Sequence, residues 1–355
     1  MSQKKPKTAT RKPEPVGAGA ALDGVKIAVV GAGSWGTALA SLLAAKGYTV
    51  QIWSRGREVA DHINRDHENR IYLPGYKLPE SLIATVDIGR AVAGADLVLM
   101  VVPSYAMRET VTQAAAHIGP DALVVSASKG IEDDTSKTMF EVLEDCVGRP
   151  ERLGVLSGPS FAAEVASGQP TVVVAAAPDP EVAERIQHIF ASPAMRVYSS
   201  TDVVGVEVGG VVKNIMAIAT GVSDGLGFGH NARAAIITRG LAEITRLAVA
   251  LGARPETLAG LSGIGDLVLT CTGDLSRNRQ MGLRIGRGEK VEDILQGMRM
   301  VAEGVRNTKA VKQLADREGI EMPIVEVAYR VLYEHMSPGQ ALGQLFGRSL
   351  KPEFV

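Results

Sequence analysis

Short apolar runs alternate with segments of helical periodicity from Val25 to about Ser200. The apolar runs predict seven strands, at Val25–Val30, Thr49–Trp53, Asp96–Val102, Ala122–Ser128, Leu153–Leu156, Thr171–Ala177 and Arg196–Tyr198. Between them, apolar residues recur at helical spacing and predict helices such as Gly36–Lys46, Tyr105–His117 and Asp134–Val147. This alternation is typical of βαβ units, and the nearly continuous Val, Leu and Ala of the strands favour a mostly parallel, doubly wound sheet covered on both faces.

Beyond about Val204 the apolar residues follow helical spacing almost throughout. Helices are predicted at Val206–Val222, Asn231–Leu251, Arg277–Gly286, Val291–Gln296, Thr308–Glu318 and Ile324–Tyr333. The one strand-like run in this part is Asp266–Leu269. The pattern therefore predicts an α/β fold class in three parts: a disordered basic tail at 1–24, an N-terminal Rossmann-like doubly wound sheet at 25–205, and an all-α C-terminal domain at 206–350.

Composition narrows the functional class. A chain of 355 residues suits two domains, and its formal net charge of -1 favours neither a nucleic-acid surface nor a polybasic membrane face. No apolar run reaches about 18 residues, so we expect no membrane span. Two cysteines, Cys146 and Cys271, cannot form a disulfide framework and fit a reducing cytoplasm. The histidines and cysteines show no metal-ligand spacing, so we expect no metal site.

The most informative motif is a glycine-rich turn between a strand and a helix. The apolar run Ile27–Val30 leads directly into Gly31-Ala-Gly-Ser-Trp-Gly36, and a small-residue helical pattern follows. Gly31 permits the tight turn, Gly33 lets the backbone approach a phosphate, and Gly36 lets the helix pack closely on its strand. The N-terminus of that helix offers free N–H groups and a partial positive charge. The motif predicts dinucleotide binding; the alternative is a structural turn without a ligand.

Arg55 bears on which dinucleotide binds. In such a fold, an acidic residue at the end of the second strand usually binds the adenosine ribose 2′-hydroxyl. Here Thr49–Trp53 is followed by Ser-Arg55-Gly-Arg, with no carboxylate at the strand end. A guanidinium at that position suits a 2′-phosphate, so the sequence favours NADP(H), with use of both cofactors left open. The alternative is that Arg55 stacks on adenine whether or not the phosphate is present.

Two lysines stand out because of their surroundings. Lys213 and Asn214 interrupt an otherwise apolar helical pattern, and burying an unpaired ammonium group is costly. Lys213 is therefore either a lysine that snorkels to solvent or a catalytic lysine. In the second case, burial and a nearby cation would lower its pKa from about 10.4 into a useful range. Lys129 follows a predicted strand and precedes a glycine, a position that favours a role in the same site.

Two polar segments offer amides and hydroxyls to an anion. One is the turn Ser157–Ala162 after a predicted strand, whose amides suit a cofactor or an anionic substrate. The other is Ser276-Arg-Asn278, which opens a predicted helix with a hydroxyl, a planar guanidinium and an amide. The alternative for the second segment is an ordinary helix N-cap flanked by exposed arginines.

Taken together and in order, the motifs resemble a known family. They are Gly-Ala-Gly-Ser-Trp-Gly-Thr-Ala (31–38), Ser-Lys-Gly (128–130), Ser-Gly-Pro-Ser-Phe-Ala (157–162), Val-Lys-Asn (212–214), Gly-Asp-Leu-Val-Leu-Thr-Cys (265–271), Ser-Arg-Asn-Arg (276–279) and Val-Ala-Glu-Gly (301–304). Over about residues 25–350 the chain resembles the bacterial-type NAD(P)-dependent glycerol-3-phosphate dehydrogenases. That family interconverts sn-glycerol 3-phosphate and dihydroxyacetone phosphate and supplies the glycerol backbone of phospholipids. The resemblance thus implies an oxidoreductase that uses NADP(H), NAD(H) or both.

The resemblance also implies roles for single residues. Lys213 would accept the proton in the oxidative direction. The residues that would bind glycerol phosphate are Lys129, Gly158, Ser160, Lys213, Asp266, Ser276, Arg277 and Asn278. Those that would bind the cofactor are Gly31, Gly33, Ser34, Trp35, Gly36, Arg55, Tyr72, Lys129, Ala162, Arg277, Val301 and Glu303. The basic tail before Val25 departs from the family pattern but touches none of these positions.

Two other functions remain open at this point. A dehydrogenase of related architecture that acts on a hydroxy acid would need a site that binds the substrate carboxylate, and the Ser276–Asn278 segment does not exclude such a site. A non-catalytic nucleotide sensor would bind cofactor without turnover and would leave Lys213 without a purpose. The small-residue helices also make a homodimer an open expectation, and a small phosphorylated molecule is the expected partner.

Overall fold

The computed structural model describes residues 24–298, 303–350 and 352–353. Nearly all of the tail that we predicted to be disordered, and also Val301, lie outside the described residues. Within them the protein folds as an eight-stranded sheet with helices on both faces, followed by a helical part. The predicted fold class is confirmed, while the exact domain bounds stay a prediction.

The strands form one sheet in the order β3-β2-β1-β4-β5-β6-β7-β8. Their bounds are β1 Lys26–Val30, β2 Thr49–Trp53, β3 Ile83–Thr85, β4 Leu97–Met100, β5 Leu123–Ser126, β6 Leu153–Ser157, β7 Thr171–Ala176 and β8 Met195–Ser200. All neighbouring strands run parallel except β6 and β7. The edge strand β3 has only three residues, which is too short for an apolar pattern to predict it.

Sixteen α-helices lie in the described part of the chain. The helices that flank the sheet are α1 Ser34–Ala45, α2 Arg57–Asp66, α3 Ile88–Val92, α4 Met107–Ala115, α5 Met139–Val147, α6 Ala162–Ala166 and α7 Pro180–Phe190. Those of the helical part are α8 Val203–Gly225, α9 His230–Ala250, α10 Pro255–Leu258, α11 Asp266–Thr272, α12 Arg277–Gly286, α13 Val291–Gln296, α14 Glu303–Glu318, α15 Pro323–Tyr333 and α16 Pro338–Phe346.

Alternate residues of the central strands pack into two separate cores. In β1, Ile27 and Val29 belong to the apolar cluster on one face of the sheet, while Ala28 and Val30 belong to the cluster on the other. Every residue of β4 is buried. A strand that is covered on both faces must be apolar at every position, so the continuous apolar runs of the sequence follow directly from this layering.

The strand-like segment Asp266–Leu269 is a correction, because it forms the first turn of helix α11. Three consecutive apolar residues are compatible with a strand or a buried helix, and periodicity over so few positions cannot separate the two. In the structure the pattern is helical: Leu267 and Cys271 are fully buried, whereas Val268 is 40% exposed. The helix follows a π-helical turn, Leu261–Gly265, and places Asp266 and Thr270 on one face.

Helix α8 forms the centre of the helical part. It is long and apolar enough to span a membrane, but 89% of its most apolar window is buried inside the protein, which identifies it as a core helix. Gly221 and Gly225 let α12 approach its backbone closely. A Cβ on Gly221 would lie 2.1 Å from the carbonyl oxygen of Arg279, and one on Gly282 would lie 2.1 Å from that of Ile218. Glycine is thus required on both helices, and their close contact fixes the position of α12 against α8.

Candidate active site

The glycine turn lies at the carboxyl end of β1, where the sheet order reverses between β1 and β4. Gly31 has φ +118°, and a Cβ there would lie 2.4 Å from the carbonyl oxygen of Val101, just after β4. A Cβ on Gly36 would lie 1.9 Å from the carbonyl oxygen of Gly31. Both glycines are needed for packing. A Cβ on Gly33, by contrast, would meet no atom within 4 Å, so this face of the turn is open.

This arrangement fits a dinucleotide. Ligands of doubly wound sheets bind in the crevice at the reversal point, with the pyrophosphate at the N-terminus of the helix after the glycine turn. Here α1 begins at Ser34, directly beyond the open Gly33, and no side chain caps its N-terminus. Residues that the resemblance implied for the cofactor surround the turn: Trp35 is half-buried against the sheet core, and the Ser34 hydroxyl donates to the Tyr72 carbonyl at 2.6 Å.

The predicted adenosine-end residue lies beside the same crevice. Arg55 follows the carboxyl end of β2, the neighbour of β1, and its side chain is exposed. It forms no hydrogen bond or ion pair with any residue in the described part of the chain. The residue between Trp53 and Arg55 is Ser54, not a carboxylate. Its hydroxyl donates to the Gly56 carbonyl at 3.0 Å. The guanidinium is therefore available to a ligand at this position.

A buried carboxylate joins the two lysines singled out in the sequence. The Lys129 ammonium donates to Oδ2 of Asp266 at 2.7 Å and to the Gly158 carbonyl at 3.0 Å. The Lys213 ammonium donates to Oδ1 of Asp266 and, at 2.9 Å, to the hydroxyl of Thr270. Asp266 is fully buried and Lys213 is 6% exposed. The structure thus brings Lys129, Lys213 and Asp266 into one cluster, and the alternative of a snorkelling Lys213 is wrong.

Burial sets the proton affinity of this cluster. Loss of water lowers the pKa of Lys213 to about 7; the Asp266 charge opposes that shift and the Lys129 charge adds to it. An amine with a pKa near neutrality exchanges protons readily in both directions, which general acid–base catalysis requires. Thr270 is a member of the cluster that the sequence did not assign, because this segment was predicted as a strand; on the observed helix it lies one turn after Asp266.

The turn 157–162, which the resemblance implied for substrate binding, meets the same cluster. Gly158 has φ +133°, a conformation that L side chains rarely adopt, and its carbonyl accepts both the Lys129 ammonium and, at 2.9 Å, the Ser160 hydroxyl. The aliphatic chain of Lys129 passes Gly210, where an added Cβ would lie 3.5 Å from its Cδ. Ala162 is the first residue of α6, so it lies at the end of this turn that faces α1.

The segment Ser276–Asn278, which the sequence offered as an anion site, is partly an N-cap. Ser276 caps α12 by accepting from the N–H of Arg279 at 3.2 Å, so the N-cap of the alternative is present, but Arg279 is buried rather than exposed. The Asn278 side chain donates to Oδ1 of Asn214, next to Lys213, at 3.0 Å and accepts from the N–H of Gly304 at 3.1 Å. Asn278 thereby joins α8, α12 and α14, and holds the beginning of α12 near the lysine cluster.

Arg277 and Glu303 are the first residues of α12 and α14. Arg277 is exposed to solvent, but nearby protein atoms remove part of its hydration, which lowers its pKa, while the charge of Glu303 raises it. Burial raises the pKa of Glu303 to about 7, and Arg277 opposes the shift. The two charged groups therefore act on each other electrostatically. Among the described residues there is no group of three His, Cys, Asp or Glu that would hold a metal ion.

Comparison with known proteins gives a consistent result. A family model described as NAD-dependent glycerol-3-phosphate dehydrogenase N-terminus matches residues 26–183, and the C-terminus model of that family matches residues 202–343. Glycerol-3-phosphate dehydrogenase [NAD(P)+] of Nitratidesulfovibrio vulgaris is 54% identical over 330 residues, which cover 93% of this chain and 100% of that protein. The crystal structure of glycerol-3-phosphate dehydrogenase from Coxiella burnetii superposes with a TM-score of 0.88 at 42% identity, covering 91% of this chain and 99% of the other.

Proposed function

Because the chain belongs to the NAD-dependent glycerol-3-phosphate dehydrogenase family, we propose that Lys213 is its proton donor and acceptor. The enzyme is an NAD(P)-dependent oxidoreductase that interconverts sn-glycerol 3-phosphate and dihydroxyacetone phosphate. The observation that supports the role of Lys213 is the buried ammonium group held by Asp266 and Thr270, with a pKa of about 7. The two alternative functions, a hydroxy-acid dehydrogenase and a non-catalytic nucleotide sensor, fit the sequence less well than membership of this family does.

The chemistry needs one hydride and one proton. Bound NAD(P)H supplies the hydride to C2 of the ketone. As the C2 carbonyl becomes an alkoxide, the Lys213 ammonium donates a proton to its oxygen and becomes a neutral amine. In the oxidative direction the neutral amine takes the hydroxyl proton of glycerol phosphate. Asp266 orients the amine and balances its charge, and Lys129, which donates to the other carboxylate oxygen, would face the same substrate oxygen.

The substrate phosphate requires cations and free N–H groups. We assign it to the beginning of α12, where Arg277 supplies a guanidinium and the first turn supplies backbone N–H groups. Ser276 and Asn278 fix that turn through the N-cap and the bridge to Asn214 and Gly304. Gly158 and Ser160 would face the substrate from the opposite side of the lysine cluster.

The cofactor would lie along the carboxyl ends of the strands. The open face of Gly33 and the N-terminus of α1 suit the pyrophosphate, with Trp35 and Tyr72 beside it. Arg55 suits the adenosine end and would favour NADP(H) by pairing with its 2′-phosphate. Ala162 and Glu303 would face the nicotinamide end; the proposed partner Val301 lies outside the described residues.

Three further expectations belong to the same proposal. We place the enzyme in the cytoplasm, for which the free thiols of Cys146 and Cys271 are suited. A homodimer is proposed from the small-residue helices, and sedimentation of the full chain tests it. The division at 25–205 and 206–350 is supported by the start of α8 at Val203, close to the proposed bound.

Replacing Lys213 tests the central role. Lys213→Met keeps the aliphatic volume but removes the amine, so kcat for NADPH oxidation by dihydroxyacetone phosphate should fall about 10²–10⁴-fold. Cofactor affinity should remain close to that of the unmodified enzyme. Lys309→Met, at an exposed position of α14, is the matched control and should leave kcat unchanged. A near-normal kcat in Lys213→Met would remove Lys213 from the role.

A further inference from the structure

One buried side chain next to the glycine turn has no role in the chemistry above. Asn69 is fully buried, although it lies in the loop between α2 and β3. Its amide nitrogen donates to the carbonyl oxygen of Ala32 at 2.9 Å and to the hydroxyl of Thr37 at 2.8 Å. Its amide oxygen accepts from the N–H of Tyr72 at 3.1 Å. The side chain therefore ties a distant loop to the turn and to the first helix after it.

The bond to Ala32 constrains the peptide that carries the open glycine. A trans peptide is planar, and its C=O and N–H point in opposite directions. Because Asn69 holds the carbonyl of the Ala32–Gly33 peptide, the N–H of Gly33 must point away from Asn69. That N–H donates to no acceptor in the described part of the chain. It lies on the residue whose added Cβ would meet nothing within 4 Å.

The loop that carries Asn69 is itself held in place. The N–H of Leu73 donates to the Asn69 carbonyl at 2.9 Å, which closes a turn, and the Leu73 side chain is buried in the sheet core. The Ser34 hydroxyl donates to the Tyr72 carbonyl at 2.6 Å. These contacts hold the loop in place, so the Asn69 side chain is itself well positioned to hold the glycine turn.

We infer that Asn69 is a positioning residue for the cofactor: it orients the Ala32–Gly33 peptide so that the Gly33 N–H faces the pyrophosphate before the cofactor binds. Preorganised donors bind more tightly than donors that must be ordered on binding. The inference rests on the proposed function, since it takes the glycine turn to be the NAD(P)(H) site.

Tryptophan fluorescence measures this step without catalysis. The chain has two tryptophans, Trp35 at the beginning of α1 and Trp53 at the end of β2, so quenching on titration with NADPH reports binding at the glycine turn beside them. Asn69→Ala removes all three bonds, and Asn69→Asp keeps the shape but sets a carboxylate oxygen against the Ala32 carbonyl. For both variants we expect the Kd for NADPH to rise about tenfold or more.

The matched control is Asn64→Ala. Asn64 also uses both ends of its amide, bonding to the carbonyl and the N–H of Ala84 at 2.9 and 2.7 Å, but it lies on the β3 side of α2. Its Kd should stay within about twofold of the unmodified value. In Asn69→Ala, kcat at saturating cofactor and KM for dihydroxyacetone phosphate should also stay close to those of the unmodified enzyme. A purely structural role would change all of these together.

The outcomes separate the inference from the proposed function. If the unmodified enzyme binds neither NADPH nor NADH, the proposed function fails. If it binds them and both Asn69 variants bind equally well, or if Asn64→Ala weakens binding as much, only the inference is overturned. Should the Asn69 variants not fold, Thr37→Val removes one acceptor and preserves shape; a weaker but measurable loss of NADPH affinity supports the inference, and unchanged affinity overturns it.

Discussion

Lys129 and Lys213 bind the two oxygens of one buried carboxylate, that of Asp266. When both lysines are protonated, two cations on a single anion leave a net positive charge in a region from which water is largely excluded. Burial and the charge of Lys129 lower the pKa of Lys213, while Asp266 raises it. The proton affinity of the site therefore depends on the balance between these two neighbours.

Removing the Asp266 charge should disturb that balance in a defined direction. In Asp266→Asn the shape is kept, but nothing opposes the desolvation and the Lys129 charge, so the pKa of Lys213 should fall further. The pH at which oxidation of glycerol 3-phosphate reaches half its maximal kcat should move down. We also expect kcat to fall at least about tenfold, because the amine loses its orienting partner. A half-maximal pH that stays in place or rises would contradict this account.

The unmodified enzyme should show opposite pH dependences in its two directions. In the proposed mechanism, oxidation needs neutral Lys213, so its kcat should rise as the pH passes about 7. Reduction needs the ammonium form, so its kcat should decline over the same range. Glu303 also has a pKa of about 7 and would titrate in that window. Glu303→Gln removes its titration, and the two opposed limbs should persist in that variant. Their disappearance would assign the limbs to Glu303.

The close contact of α8 and α12 should tolerate no side-chain carbon. A Cβ on Gly282 would lie 2.1 Å from the backbone oxygen of Ile218. Gly282→Ala should lower the free energy of unfolding by about 1–3 kcal/mol. It should also raise KM for dihydroxyacetone phosphate, because a shift of α12 would displace Arg277, which we propose binds the substrate phosphate. Gly343→Ala, on α16 with open space around it, should be neutral or stabilising by up to about 1 kcal/mol. Denaturant titration measures the free energy of unfolding, and substrate kinetics measure KM. Equal effects of Gly282→Ala and Gly343→Ala would refute the packing argument.

Arg55 should decide cofactor preference rather than stability. Since it is exposed and a charge-assisted bond to a 2′-phosphate is expected, Arg55→Ala should raise KM for NADPH about tenfold or more and leave KM for NADH nearly unchanged. The substitution should change the free energy of unfolding by no more than about 0.5 kcal/mol. Arg65→Ala, an exposed arginine of α2 paired with Asp66, serves as the control. Equal increases of KM for both cofactors would support stacking on adenine instead.

The sequence predicts this fold best where the apolar periodicity and the residues that begin or end an element agree. The glycine motif and the apolar run before it define β1 and α1, and the bounds of α12 and α13 match the predicted Arg277–Gly286 and Val291–Gln296. The direction of β7 is different: its residues are apolar on both faces, so the pattern is the same whether the strand runs parallel or antiparallel to β6.

The candidate site shows the same limit. Lys213 could be singled out because an ammonium group in an apolar helix has few explanations. The local structure of Asp266 was predicted wrongly from its apolar neighbours, although the resemblance placed the residue in the site. Asn69 left no signal at all, since a buried asparagine in a loop looks like any other loop residue until the fold brings it to the glycine turn.

The most direct test of the central claim is the single-turnover rate of NADPH oxidation by dihydroxyacetone phosphate in Lys213→Ala, with and without added methylamine. The account predicts a rate about 10²–10⁴-fold below that of the unmodified enzyme, partly restored as methylamine supplies the missing proton donor. A rate close to that of the unmodified enzyme would contradict it, because proton transfer would then not depend on the amine of Lys213.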